Sequence, residues 1–249
     1  MFDAVFVTWN VGRGLQSKSV SLEKLLLECR GATFVALQEI GLVEFRNDEL
    51  AGICERHGYV AHFAHRTGQN TKGHGGAALL VQNHVVAEPW LWPEAKAWHA
   101  ECEVVSVKVT PAAAPPFFVS SWYVHGTSDD VTGFCRVLNS AGADHVILGD
   151  LNAQLSCSRP DVVISPNYAA RGDALEEFVR SRECLHPMPS SPTRPQRTQV
   201  DGVETLRLDI GSINDHIVVG ADVFAHIEHS EPEAMVLHGA WGSDHLPLA

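Results

Sequence analysis

The chain has 249 residues, of which 45% are hydrophobic and 19% are charged, a composition that supports a sizeable folded core and excludes a disordered protein. Its formal net charge of −12 argues against non-specific nucleic-acid binding, which depends on lysine and arginine neutralising phosphates. A bound metal ion and a local basic rim can still admit a phosphodiester. The sequence has no apolar run near the roughly 18 residues of a membrane span, so no membrane partner is expected.

Short β-branched and aromatic runs predict strands along most of the chain. In chain order they cover residues 4–9, 33–38, 59–64, 76–82, 102–109, 117–124, 145–149, 216–220 and 223–227. Apolar residues at helical spacing predict helices near 22–29, 131–138 and 175–179, with caps for the last two at 128–130 and 172–173. Many strands with few helices indicate a two-sheet α+β or α/β sandwich with helices outside.

A projecting hairpin is predicted around residues 199–204, because Asp201-Gly202 suits a type I′ turn. Basic residues precede it, and Arg194 and Arg197 are expected to add affinity for a polyanion, together with basic residues at positions 13 and 18. The six cysteines have no CxxC spacing. They are therefore expected to be reduced thiols of an intracellular protein.

Compact polar groups recur where predicted strands end. They are Asn10, Glu39, Asp150 with Asn152, Asp215, and Asp244 with His245. Such groups at the ends of buried strands are costly unless they bind something, and a metal ion with a phosphate would satisfy them. Each segment alone also fits a turn or a solvated surface, but their order along the chain favours a hydrolytic site.

The residue types suit phosphodiester cleavage, which needs neutralised phosphoryl oxygens, an oriented water and help for the leaving oxygen. Glu39 suits Mg²⁺, with Mn²⁺ as a substitute, and Asp150 could orient and deprotonate the water. The two asparagines could hold oxygens without adding charge. A protonated His245 could bind the phosphate, with Asp215 holding the ring and raising its pKa.

These segments, in this order, resemble the motif series of the endonuclease/exonuclease/phosphatase superfamily, which includes apurinic endonucleases, DNase I, inositol polyphosphate 5-phosphatases and neutral sphingomyelinases. The matching positions are 9–10, 37–39, 75–78, 149–152, 215–218 and 243–245. The resemblance spans the chain and implies one domain over residues 1–249. It implies a DNase I-like α/β (α+β) four-layer sandwich, in which two packed mixed β-sheets carry helices on their outer faces.

Residues 171–178, Leu185 and residues 191–194 resemble a segment of non-LTR retrotransposon endonuclease domains. Those domains nick one strand of duplex DNA so that the freed 3′ end primes reverse transcription. The resemblance implies a monomeric Mg²⁺-dependent endonuclease domain with DNA as partner. It also implies a fused reverse transcriptase in the full-length protein and an intracellular, nuclear location.

Matching positions then carry the family's roles. The metal would be held by Glu39, Asn10 and Asp244. Catalysis would fall to Asp150, Asn152, Asp215, His245 and Tyr123, with His125 as a further candidate. Substrate contacts would come from Thr193, Arg194, Arg197 and Ser243.

Three departures from the family pattern stand out. His125 replaces the usual proline, and it is either a second acid, as in DNase-like members, or a loop histidine. Asn214 stands where an apolar residue is expected before Asp215, so Asp209 competes for that position. The chain stops at Ala249, a few residues into the strand expected after His245, which suggests an excised domain or a truncated reading frame.

A nicking DNA endonuclease is therefore the leading hypothesis. The alternative is a phosphoinositide or sphingolipid phosphoesterase of the same fold, since an acidic protein suits a small substrate better than DNA. However, the sequence contains neither an amphipathic docking helix nor a Lys/Arg cluster for a polyphosphorylated headgroup. A catalytically inactive scaffold is a further alternative, and the completeness of the acidic and amide set argues against it.

Overall fold

Two mixed β-sheets form the centre of the computed structural model, which describes residues 4–12, 19–29, 31–41, 47–64, 75–156, 165–189, 193–200, 203–227 and 248–249. The first sheet has the order β1-β2-β4-β3. Its strands are β1 (Phe6–Asn10), β2 (Phe34–Gln38), β3 (Tyr59–Ala64) and β4 (Ala77–Gln82). Only the β1–β2 pair is parallel, so the polar residues that end these two strands meet at one edge.

The second sheet has the order β11-β8-β7-β6-β5. Its strands are β5 (Ala87–Trp90), β6 (Cys102–Val109), β7 (Phe117–Val124), β8 (His145–Asp150) and β11 (Asp215–Val219). The β7–β8 pair is parallel and the other pairs are antiparallel. A separate two-stranded hairpin pairs β9 (Arg194–Val200) with β10 (Val203–Ser212).

Six helices complete the described part of the fold. They are α1 (Ser19–Glu28), α2 (Asn47–Arg56), α3 (Pro93–Ala97), α4 (Val131–Asn139), α5 (Pro166–Ser181) and α6 (Ala221–Phe224). Apolar residues of α1 and α2 join the core of the first sheet, whereas those of α3, α4 and α5 pack on the second sheet. Among the described residues, no helix is both long and apolar enough to span a bilayer.

The apolar run of strand β8 is continuous because both faces of the strand are buried. Val146 and Leu148 point to the core shared with the first sheet, and Ile147 points to the core under α4 and α5. Side chains alternate along a strand, so a strand covered on both faces needs apolar residues at every position. Phe34 joins the sheets directly, since its ring packs edge-on against Phe117 with centroids 6.3 Å apart.

The predicted sandwich is confirmed, and most predicted strands are present with small shifts at their ends. The strand predicted at 223–227 is wrong, because α6 occupies its start. Val223 and Ile227 are both buried, and a four-residue spacing suits one face of a helix as well as it suits a strand. The elements α2, α3 and β5 were not predicted.

One of the two predicted helix caps is confirmed and the other is wrong. Asp130 caps α4, and its side chain accepts a hydrogen bond of 2.8 Å from Gly133 N. The cap predicted at residues 172–173 is wrong, because α5 begins at Pro166. The hairpin is confirmed by the Val200–Val203 pairing, although its turn residues lie outside the described part of the chain. The five described cysteines are free thiols, and Cys157 lies outside the described residues.

Candidate active site

Three polar residues at strand ends meet between the two sheets. Asn10 ends β1, Glu39 follows β2 and Asp150 ends β8. Asn10 Nδ2 donates to Glu39 Oε1 at 3.1 Å and to Asp150 Oδ2 at 2.7 Å. One carboxamide therefore holds two carboxylates that come from different sheets. Asn10 and Asp150 are buried, and Glu39 is half-buried.

The orientation of Asn10 bears on its predicted role. Its Oδ1 accepts a hydrogen bond from Gly12 N at 2.9 Å, while its Nδ2 faces the carboxylates. The amide thus offers its donor, not its oxygen, to the centre of the site. Asn10 orients the two acids in this arrangement, and its direct contact with a metal stays a prediction.

A second polar bridge lies beside this centre. Gln38 Nε2 donates to Ser121 Oγ at 3.1 Å, and Ser121 Oγ donates to the Leu37 carbonyl at 3.3 Å. Thr8 Oγ1 donates to Gln38 Oε1 at 3.3 Å. All three polar side chains are buried and satisfy one another, as buried polar groups must. The bridge holds the strand ends of the two sheets together.

Glu39 is held by an unusual backbone conformation. Its φ is 51°, in the left-handed region, and the following residues bind back to the start of β4. Ile40 N donates to Gly76 O and Gly41 N donates to Gly75 O. The Gly75-Gly76 motif therefore supports the turn that aims Glu39.

Gly149 is required by the close approach of β7 and β8. Its φ is +148°, and a Cβ built there would lie 2.0 Å from the Trp122 carbonyl oxygen. We expect Gly149→Ala to lower the free energy of unfolding by at least about 3 kcal/mol, because the clashing atoms belong to the backbone of a core strand and cannot rotate away as a side chain can. Urea unfolding measures this. Gly52→Ala, in an open helical position of α2, should instead add about 0.5–1 kcal/mol; equal effects would contradict the account.

The residues after β8 form a tight polar turn. Asn152 N donates to Asp150 Oδ1 at 3.0 Å, and Asn152 has a positive φ of 44°. Asn152 Nδ2 donates to the Val124 carbonyl at 2.8 Å, which ties the turn to the end of β7. Asn214 Nδ2 lies 3.5 Å from Asn152 Oδ1. Asp150 and Asn152 are therefore fixed relative to each other.

Asp215 joins this centre through sheet pairing. It is the register partner of Asp150 across β8 and β11, and both side chains are buried. This position favours Asp215 over Asp209, which lies within β10. Thr193 Oγ1 accepts hydrogen bonds from the backbone N–H groups of Asn214 and Asp215, at 3.2 and 3.3 Å. Thr193 is fully buried, so it supports Asp215 here, and its contact with substrate stays a prediction.

Tyr123, in β7, and His125, which follows that strand, line the same region. Tyr123 pairs in register with Asp150 and hydrogen bonds to Glu39. Burial, then the carboxylates of Glu39 and Asp150, raise the pKa of Tyr123, so its hydroxyl stays protonated. The His125 ring centroid lies 5.4 Å from that of Tyr123, and its Nε2 lies 2.9 Å from Glu103 Oε1.

Sequence reasoning missed Glu103 and Arg171. Glu103 is almost fully buried in the apolar strand β6. Arg171 has no exposed surface, although it shares a helical face with the buried residues Leu175 and Phe178. A charge on an apolar strand or an apolar helical face was the available signal, because burial without a partner is too costly.

Several predicted residues cannot be placed. Ser243, Asp244 and His245 lie outside the described residues, as do the basic residues at positions 13 and 18. Nothing is described of the Arg197 side chain. Arg194 is half-buried at the start of β9 and lies near enough to Tyr168 to oppose part of the rise that burial causes in the pKa of its hydroxyl.

A buried histidine pair lies behind the turn that follows β8. His216 Nε2 donates to the Ala153 carbonyl at 2.8 Å, so its Nδ1 accepts from His186 Nε2 at 3.1 Å. Burial lowers the pKa of His216, and burial, then His216, lower that of His186 to about 3. Both rings are therefore neutral in the fold near pH 7.

The histidine pair makes stability depend on pH. Unfolded histidines bind protons below about pH 6.5, so stability present above that pH is lost as the pH falls toward 3. We expect about 2 kcal/mol less stability at pH 5 than at pH 7 from His186 alone, because its unfolded form binds a proton over this range and the folded ring does not. Urea midpoints should shift less between these pH values in His186→Gln than in wild type. The exposed His84→Gln should keep the full shift; an unchanged shift in His186→Gln would refute this.

A known protein family and several solved structures are similar to this chain. A model of the "Endonuclease/Exonuclease/phosphatase family" matches residues 7–245. No curated protein matches the sequence significantly. The chain is similar to the solved endonuclease domain of TRAS1, a telomere-specific non-LTR retrotransposon. The identity is 16% and the TM-score 0.63, over 98% of this chain and 95% of that one.

Two further solved structures share the fold. AP endonuclease LMAP from Leishmania major has 14% identity and a TM-score of 0.65, over 98% of this chain and 85% of that one. ANGEL2, a 2′,3′-cyclic phosphatase, has 13% identity and a TM-score of 0.55, over 99% and 94%. These likenesses show the DNase I-like fold. Because the family model spans nearly the whole sequence, the chain belongs to the endonuclease/exonuclease/phosphatase family.

Proposed function

We propose that the chain is a Mg²⁺-dependent phosphodiesterase that nicks duplex DNA, as the endonuclease domain of a retroelement protein. One observation carries the proposal. The Asn10 amide joins Glu39 and Asp150, so two acids from different sheets share one centre with Asn152 beside them. Acids and amides in this arrangement can bind a metal ion that neutralises charge on the phosphate, and they can orient the attacking water.

The donor set fits Mg²⁺. This ion takes one or two carboxylates and keeps several waters, and Glu39 and Asp150 supply two carboxylates at one place. Among the residues described, these two are not part of any group of three His, Cys, Asp or Glu side chains suited to a metal. Glu39, the more exposed acid, would hold the ion, with the predicted help of Asp244. When bound, the ion would neutralise charge on the phosphoryl oxygens, and Mn²⁺ could replace it.

Asp150 is the group that would take a proton from the attacking water. Its Oδ1 and Oδ2 accept hydrogen bonds from Asn152 N and Asn10 Nδ2, so the direction of the carboxylate is fixed. A fixed carboxylate can hold a water in line with the phosphorus atom, and such positioning lowers the barrier by avoiding the cost of orienting the water. The Asn152 side chain, anchored on Val124 O, borders the position of that water.

His125 is suited to the leaving group. Its Nε2 is paired with Glu103, and both residues are almost fully buried, so the ring orientation is set. Its Nδ1 makes no hydrogen bond with the described residues and would deliver a proton to the leaving oxygen. The neighbouring Tyr123 keeps its proton and can donate to a phosphate oxygen. His245, paired with Asp215, would be the second imidazole of the site.

Two observations favour DNA over a lipid headgroup. The β9–β10 hairpin carries basic residues and begins beside the site, since Thr193 and Arg194 precede or open it. The TRAS1 endonuclease domain and AP endonuclease LMAP are similar over most of their lengths. The net charge of −12 predicts weak, salt-sensitive DNA binding, and it is the observation that favours the phosphoinositide or sphingolipid alternative.

Supercoiled plasmid and phosphoinositide vesicles, each with Mg²⁺ or EDTA, test the assignment. We expect nicked circles only with Mg²⁺, no headgroup release, and loss of nicking in Asp150→Ala. Asp222→Asn, an exposed acid at the other end of the second sheet, is the matched control and should nick normally. Headgroup release without nicking would favour the lipid alternative, and inactivity on both substrates would favour a scaffold.

A further inference from the structure

Tyr168 borders the candidate active site, although no motif pointed to it. It lies in the first turn of α5 and is half-buried. A Cβ built on Gly126 would lie 2.5 Å from the Tyr168 hydroxyl and 3.7 Å from Asn152 Nδ2. The phenol and the Asn152 amide therefore approach the same point. The hydroxyl makes no hydrogen bond with any residue that the structure describes.

Charged groups surround the Tyr168 hydroxyl. Burial and the Asp150 carboxylate raise its pKa, while Arg194 and Arg171 oppose that shift. The hydroxyl stays protonated near neutral pH and is available as a donor. Asp150, the acid that would activate water, and Arg194, at the start of the basic hairpin, both lie near enough to affect the pKa of this hydroxyl. A phosphate oxygen is the acceptor that suits this position.

Tyr168 is rigidly mounted on the turn that carries Asn152. Gln154 N donates to the Tyr168 carbonyl at 3.0 Å. The Arg171 guanidinium lies 5.0 Å from the Tyr168 ring centroid, and its Nε donates to the Asn152 carbonyl at 2.9 Å. Its Nη1 donates to the Ser128 carbonyl at 2.8 Å. Arg171 is thus a positioning residue that ties Tyr168 and Asn152 together.

We propose that Tyr168 is a substrate-contacting residue whose hydroxyl donates a hydrogen bond to a non-bridging oxygen of the bound phosphodiester. The contact forms when the phosphate lies against Asp150 and Asn152, so this inference rests on the proposed function. Because Gly126 has no side chain, the Tyr168 hydroxyl can lie where a Cβ would otherwise be, close to Asn152 Nδ2. Tyr123 and Tyr168 would then hold the phosphate from β7 and from α5.

Tyr168→Phe isolates the hydroxyl, because it keeps the ring on which Arg171 stacks. We expect kcat/KM for nicking to fall about 10- to 100-fold, the loss typical of a hydrogen bond to a charged group. The urea midpoint should not change. Tyr59→Phe is the matched control, since its hydroxyl donates to Ala32 O in the core at 2.8 Å. That variant should lose stability and keep wild-type kcat/KM.

The affinity for a short DNA duplex in EDTA, measured by fluorescence anisotropy, gives a readout without turnover. Weaker binding by Tyr168→Phe than by wild type supports the contact. An active wild type with an equally active and equally tight-binding Tyr168→Phe overturns the inference alone. The inference is also overturned if the loss of kcat/KM in Tyr168→Phe is fully explained by a smaller fraction of folded protein. Wild-type protein that neither binds DNA nor cleaves any phosphodiester overturns the proposed function as well.

Discussion

Asp150→Asn is expected to lower kcat for phosphodiester hydrolysis by at least about a thousandfold. The substitution keeps the shape of the side chain but removes the base that would accept a proton from water. It also sets an amide against two donors, Asn152 N and Asn10 Nδ2, so one of these contacts becomes a clash of N–H groups. We expect the free energy of unfolding to fall by about 1–3 kcal/mol.

Kinetics and urea unfolding have to be measured together for Asp150→Asn. Without urea, a loss of about 1–3 kcal/mol in the free energy of unfolding leaves most molecules folded, so unfolding cannot account for the lost rate. Asp222→Asn should retain wild-type kcat and midpoint. An Asp150→Asn variant with kcat within tenfold of wild type would show that another group activates the water.

Asn152 is the second residue for which a large effect is expected, and its backbone allows a matched pair of variants. Asn152→Gly removes the side chain while accepting the positive φ of 44°. Asn152→Ala removes the same side chain and adds about 1–2 kcal/mol of backbone strain. Both should lower kcat about 100- to 1,000-fold, as loss of one fixed polar contact does in other hydrolytic sites.

Comparison of the two Asn152 variants separates chemistry from stability. Equal kcat with a lower urea midpoint in Asn152→Ala would show that the side chain supplies the rate and the backbone supplies the strain. If Asn152→Gly kept full activity, Asn152 would be only a turn residue. The hydrogen bond to the Val124 carbonyl would then serve the fold alone.

The positions of Asn10, Glu39 and Asp150 could be predicted because each follows an apolar run that forms a core strand. In parallel strands such as β1–β2 and β7–β8, polar residues after the runs lie at the same edge. The pairing of the two sheets across the Asn10 amide could not be predicted, because the hydrogen bond to Asp150 joins residues 140 positions apart. Only the folded arrangement reveals that one amide serves both acids.

The errors have physical causes. Val223 and Phe224 are good strand formers, but tertiary packing at the end of β11 selects a short helix there, and intrinsic propensity is weaker than packing. Arg171 and Glu103 were not predicted as site residues, because a charged residue in an apolar pattern has no partner visible in the sequence. Their partners, Asn152 and His125, lie 19 and 22 positions away.

A double-mutant cycle measures whether Glu39 and Asp150 act together in one centre. Mg²⁺-dependent hydrolysis would be measured for wild type, Glu39→Gln, Asp150→Asn and the double variant. We predict that the double variant is about as slow as Asp150→Asn alone, because residues acting as a unit are strongly non-additive. Losses that multiply, or a wild type without hydrolysis, would contradict the account.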